Sequence, residues 1–106
     1  MQHNGAGLVA VKNFFATNIG KLYRSCGNCG TQYARHSTFS NVKVVGAKVV
    51  AGVNGNYGDT TYIHDSCVDS SICWMFKGVS DGSEPSKTAS APGGTTCTAE
   101  AIKTSC

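Results

Sequence analysis

Residues 20–29, GKLYRSCGNC, gather Lys21, Tyr23, Arg24, Cys26 and Cys29 in a chain that is otherwise sparing with charge. Lys21 and Arg24 are suited to an anionic ligand: a guanidinium grips a planar carboxylate with two parallel N–H donors, and an ammonium adds a compact point charge. Arg35, a short distance on in TQYARH, extends the same set. An arginine stays charged and is a poor base, so Arg24 is assigned to binding and charge stabilisation. Lys21 can bind an anion or, if neighbouring cations depress its proton affinity, accept a proton. In an extended strand Lys21 and Tyr23 share one face while Leu22 and Arg24 share the other. Both cations can meet one ligand only if the chain bends near Gly20 or Ser25.

The six cysteines, Cys26, Cys29, Cys67, Cys73, Cys97 and Cys106, form an even set in a chain of 106 residues. They read as a disulfide framework from an oxidising compartment, with about fifteen pairings open. A zinc half-site or a redox pair is the alternative for Cys26 and Cys29, but no second half-site of matching spacing follows. His3, His36 and His64 show no ligand spacing, and no metal ligands are assigned. Lys and Arg total 9 against 6 Asp and Glu. That mild excess favours an acidic partner and falls short of a dedicated nucleic-acid surface. No apolar run reaches the roughly 20 residues that span a bilayer, so no membrane partner is expected.

The elements that must position these residues read as strands. GLVAVKNF, STFSNVKVVGAKVVAGV and TTYIHDSCV are β-branched, partly alternating and bounded by Gly, Asn and Ser. Asn13, Asn41 and Asp65 each follow an apolar stretch, at spacings of 28 and 24 residues. Such a period suggests a solenoid whose coils bury their apolar faces only by stacking, with an antiparallel sandwich as the alternative. Trp74 and Phe76, in ICWMFKG, read as core or coil-capping residues ahead of a sugar platform. Asp59, in NGNYGD, reads as part of a turn. Residues 1–79 are expected to form the coils. Residues 80–106 turn polar, contain Pro85 and Pro92, and are expected to form a loop-rich tail pinned by Cys97 and Cys106.

QHNGAG, VKNFFATNIGKLYRSCGNCGTQYARH and GVNGNYGDTTYI occur in that order over the first 80 or so residues, and this run resembles the small secreted pectate lyases of polysaccharide lyase family three. The resemblance implies an all-β, right-handed parallel β-helix, here partial and braced by disulfides, with Asn13 and Asn41 in a polar ladder inside the coils. It implies an extracellular enzyme that cleaves polygalacturonate, the de-esterified form of pectin, with calcium as cofactor. Such an enzyme removes the C5 proton of a galacturonate unit and expels the C4 oxygen, and fixed positive charge stabilises the anion that develops. Lys21 and Arg24 are the catalytic candidates, and Lys21, Arg24 and Arg35 the substrate-binding ones. Similar enzymes carry a base lysine just ahead of QHNG and an acidic calcium-binding segment further upstream. Neither occurs here, where the first carboxylate is Asp59. The chain therefore resembles the C-terminal portion of such an enzyme, and an inactive fragment that binds acidic polysaccharide is the alternative function. MQHNGAGLVAVKNFF lacks the layout of a secretory signal, so either an upstream segment was removed or the chain is an internal piece. Missing coils would leave an apolar edge around Val9, Val11 and Phe14, and with it a tendency to self-associate.

Overall fold

A computed structural model of the chain describes residues 1–90 and 92–106. Its strands in chain order are β1 (Gln2–His3), β2 (Gly7–Thr17), β3 (Lys21–Ser25), β4 (Arg35–Val45), β5 (Val49–Asn54), β6 (Thr60–Val68), β7 (Ser71–Lys77), β8 (Ser86–Ala89) and β9 (Cys97–Lys103). From β1 to β7 the strands alternate between two sheets, β8 then joins the first and β9 the second, giving the orders β1-β3-β5-β7-β8 and β2-β4-β6-β9. Every pairing is parallel except β7 with β8. Each coil contributes one strand to each sheet and stacks on the next, which makes the molecule a partial parallel β-helix.

The repeat seen in the sequence marks the bends of this coil. Asn13, Asn41, Asp65 and Ala101 all have positive φ, between 50° and 55°. Flanking pairs Lys12–Ser40–His64–Glu100 stack in register, so the four bends form one column. Asn and Asp tolerate this left-handed conformation because their short polar side chains bond locally. Asn41 Nδ2 donates to Asn13 Oδ1 at 2.7 Å. The polar ladder expected inside the coils thus lies on an exposed corner. Between the sheets pack Leu22, Tyr23, Phe39, Val42, Val44, Val50 and Ile63, with Tyr23 and Phe39 edge to face at 5.7 Å. β5 (VVAGVN) is buried throughout, as its unbroken apolar run requires of a central parallel strand.

The expected boundary near residue 79 does not separate coils from tail. Residues 97–103 are β9, which pairs with β6 and completes a fourth coil. Within the polar stretch before it, β8 runs back antiparallel along β7. Disulfides join Cys26–Cys29, Cys67–Cys106 and Cys73–Cys97, so the last two tie the final coil to the preceding strands. At the other end β2 has no neighbour on one side. Leu8, Phe14 and Phe15 there are 63%, 44% and 57% exposed, whereas Val9 and Val11 pack partly against the core.

Candidate active site

Strand β3 carries the two cations, and its alternation breaks where they need it to. Leu22 and Tyr23 are consecutive buried residues, which leaves Lys21 and Arg24 both on the outer face of the first sheet. They line one recess of about 110 Å³ whose wall includes Gly52, Asn54, Phe76, Glu84 and Pro85. A broader depression of about 510 Å³ adjoins it, lined by Lys21 and Arg24 together with Met1, Gln2, Lys48 and Trp74. Arg24, Gly52 and Trp74 occupy one row across β3, β5 and β7. The missing side chain at Gly52 makes the floor of the recess. The Lys21 stem lies across it, 3.4 Å from where a Cβ would stand.

Charge and aromatic surface interleave along this groove. Lys21 Nζ sits 5.4 Å from the Trp74 ring centre and 5.5 Å from that of Phe76. Partial burial, followed by the charges of Arg24, Lys48 and Lys87, holds the Lys21 amine below the ordinary lysine range, and Glu84 pulls weakly the other way. Trp74 and Phe76 are half-buried and present their rings to the groove, so they are neither pure core nor coil caps. Sequence reasoning missed Lys48, Gly52 and Glu84 as groove residues, and Lys87, which lies over the Trp74 ring. The signal that finds Gly52 and Trp74 is the strand register, which steps from Arg24 by 28 and then 22 residues.

Beneath the groove the NGNYGD motif acts as a clasp. Gly55–Tyr57 form a single 3-10 turn, and Gly58 follows at φ 79°. Asp59 is buried, and its two oxygens accept from the backbone N–H groups of Arg35 at 2.9 Å and Asn54 at 2.8 Å. The Asn54 amide donates in turn to Ser25 Oγ at 3.3 Å and the Cys26 carbonyl at 2.9 Å, fixing the end of β3.

Arg35 stands apart from the expectation that it binds substrate. It is 0% exposed and lines neither depression. Its guanidinium donates to the carbonyls of Gly5 (2.9 Å), Asn4 (2.6 Å) and Cys26 (3.2 Å), to Gln32 Oε1 (2.6 Å) and to Ser25 Oγ (3.4 Å). A planar donor fork enclosed by so many acceptors is a structural cross-brace. Arg35 is therefore removed from the groove residues.

Among the described residues no group of three or more His, Cys, Asp or Glu could hold a metal ion. Calcium takes about six to eight oxygen ligands, several of them carboxylates, and Asp59 already spends both oxygens on backbone donors. The residues present do not fit a calcium site.

The pectate lyase family model matches residues 1–83. The chain belongs to the pectate lyase family. It is 46% identical over 95 residues to a protein named probable pectate lyase E of Aspergillus clavatus, covering 87% of this chain and 37% of that one. With pectate lyase H of Emericella nidulans it shares 45% identity over 87 residues, covering 79% of this chain and 34% of the relative. The crystal structure of the catalytic domain of pectate lyase PelI from Erwinia chrysanthemi superposes with a TM-score of 0.82 at 32% identity, covering 93% of this chain and 52% of that one. The chain thus spans little more than a third of the length of these curated relatives.

Proposed function

We propose that this chain carries the uronate-binding groove of a pectate lyase that cleaves polygalacturonate by β-elimination. The observation that carries the reading is the convergence of Lys21 and Arg24 on one recess in a member of this family. Arg24 holds the planar carboxylate of a galacturonate unit. Lys21, close by with a depressed proton affinity, lies beside the same group. As the C5 proton leaves, negative charge spreads into that carboxylate, and both cations stabilise it more than they stabilise the resting sugar. Trp74 and Phe76 offer rings to the apolar faces of the sugars. The resemblance assigns removal of the proton to a lysine that has no counterpart in this chain, and this chain's share is grip and charge stabilisation.

The disulfides suit a secreted, extracellular protein. The uncovered β2 edge, with Leu8, Phe14 and Phe15 exposed, favours self-association.

The test is incubation with polygalacturonate at alkaline pH, following both retention on the polymer and ultraviolet absorbance of unsaturated uronides, with calcium and with a chelator. Retention that Arg24→Ala removes is expected. Absorbance growth as well would mean that a working base lies within this chain, with Lys21 the first candidate. A folded chain that neither binds nor cleaves overturns the reading.

A further inference from the structure

The segment that closes the groove on its far side lies outside the span matched by the family, which ends at residue 83. It is nonetheless held firmly. Ser86 and Lys87 pair with Lys77 and Phe76 in β7, and Thr88 Oγ1 donates to the Met75 carbonyl at 3.1 Å. Pro85 rests on Gly27, where a Cβ would come within 2.7 Å of the proline ring, so only glycine inside the Cys26–Cys29 loop admits this contact. The consequence is a fixed position for Lys87. Its exposed side chain sets the ammonium 3.9 Å from the Trp74 ring centre, where a cation is attracted to the aromatic face.

Trp74 stands two strands from Arg24 across the Gly52 gap, about 10 Å at the usual strand spacing. That spacing separates backbone rows, and it suits a chain of uronates, which carries a carboxylate on every ring and presents apolar ring faces between them. The groove has the complementary order: cations at Lys21 and Arg24, an aromatic floor at Trp74 and Phe76, then a further cation at Lys87.

We propose that β8 adds a uronate subsite to the groove, in which Lys87, held over Trp74, takes the carboxylate of a galacturonate unit further along the polymer than the unit held by Lys21 and Arg24. This rests on the uronate-binding reading above. The subsite lengthens the stretch of de-esterified polymer that the groove recognises, and it does so from a segment beyond the family match.

The experiment is calorimetric titration of the chain with galacturonate oligomers of increasing length. Affinity is expected to rise with length until a unit reaches Lys87. Lys87→Gln should remove that last increment, a loss of about 2- to 5-fold for the longer oligomers, and leave the shorter ones unchanged. Arg24→Gln should weaken every length. Lys103→Gln, which makes the same charge change on β9 of the other sheet, should weaken none selectively. If Lys87→Gln has no effect, or lowers all lengths equally as Lys103→Gln would through net charge, the subsite is refuted while the groove stands. If the unmodified chain binds no galacturonate oligomer, the uronate reading falls and the subsite with it. Circular dichroism of each variant confirms the fold, which an exposed residue on a surface strand should not disturb.

Discussion

Replacing Arg35 by alanine should cost stability and spare the groove. The guanidinium donates to five acceptors, but they are not equally dependent on it. Ser25 Oγ and the Cys26 carbonyl keep a donor in the Asn54 amide. The Asn4 and Gly5 carbonyls belong to exposed residues and can take water instead. Gln32 Oε1 loses its partner, while the Gln32 amide still donates to the Val79 carbonyl at 2.7 Å. Counting net hydrogen bonds at about 0.5–1.5 kcal/mol each, with most acceptors re-satisfied, the bonds contribute about 2 kcal/mol. The Tyr33 ring, 5.5 Å from the guanidinium carbon, adds about 0.5–1 kcal/mol. The expected loss is about 3 kcal/mol, a large share of the roughly 5–15 kcal/mol typical of a domain, yet not enough to unfold the chain in buffer. Arg35→Lys keeps the charge without the fork and should fall between the two, at about 2 kcal/mol. Urea denaturation with the disulfides intact measures this as a lower midpoint at unchanged slope. Retention on polygalacturonate should persist in both variants. An unchanged urea midpoint combined with lost retention would refute the reasoning and return Arg35 to the substrate.

Tyr23 is buried, and its hydroxyl is pushed up to about 12, first by burial and then by Asp59. The folded state therefore holds this proton more tightly than the unfolded chain, whose tyrosines titrate near about pH 10. The associated stability is complete below about pH 10 and is lost as pH rises to about 12, by roughly 2 to 3 kcal/mol. Tyr23→Phe should abolish this alkaline slope in urea melts. Lys21 should titrate below the ordinary lysine range when its Cε resonance is followed against pH; Arg24→Gln should raise its midpoint and Glu84→Gln lower it further. Gly52→Leu should fill the recess without strain at its first atom, which would meet Lys21 and Phe76 at an ordinary 3.4 Å. Polygalacturonate affinity should then fall about tenfold, about 1.4 kcal/mol, in a titration against a folded variant. Ala101 holds a left-handed φ of 52° with no side chain to compensate, so Ala101→Gly should raise stability by about 0.5 kcal/mol in urea melts.

The coils were legible because their bends carry a chemical mark. Asn13, Asn41 and Asp65 recur at near-constant spacing, since the left-handed corner selects short polar side chains. The fourth coil escaped because Ala101 occupies the same corner without that mark, and because the polar stretch before Cys97 lengthens the connection. Lys21 and Arg24 were recognisable as a pair, but their common face depends on burying Leu22 and Tyr23 together, which strict alternation does not foretell. Arg35 misled because it follows Lys21 and Arg24 closely in the sequence and reads as part of the same cationic set. What encloses it are carbonyls from Asn4, Gly5 and Cys26, remote in sequence and invisible before folding. Trp74 and Lys87 meet through an antiparallel return, and no periodicity announces that.

The disulfide between Cys67 and Cys106 has a mechanical consequence. Tension applied between the two ends of the chain passes from residue 67 directly to residue 106 through sulfur, and the intervening loop carries no load. With the Cys26–Cys29 bridge also intact, only residues 1–66 outside that small loop can be drawn out, to about 220 Å at full extension. Because parallel strands stacked along one axis share their hydrogen bonds with the next coil, they yield in sequence, peeling from the open β2 edge toward the bridged end. The fold is a spool that pays out from one side and is knotted at the other.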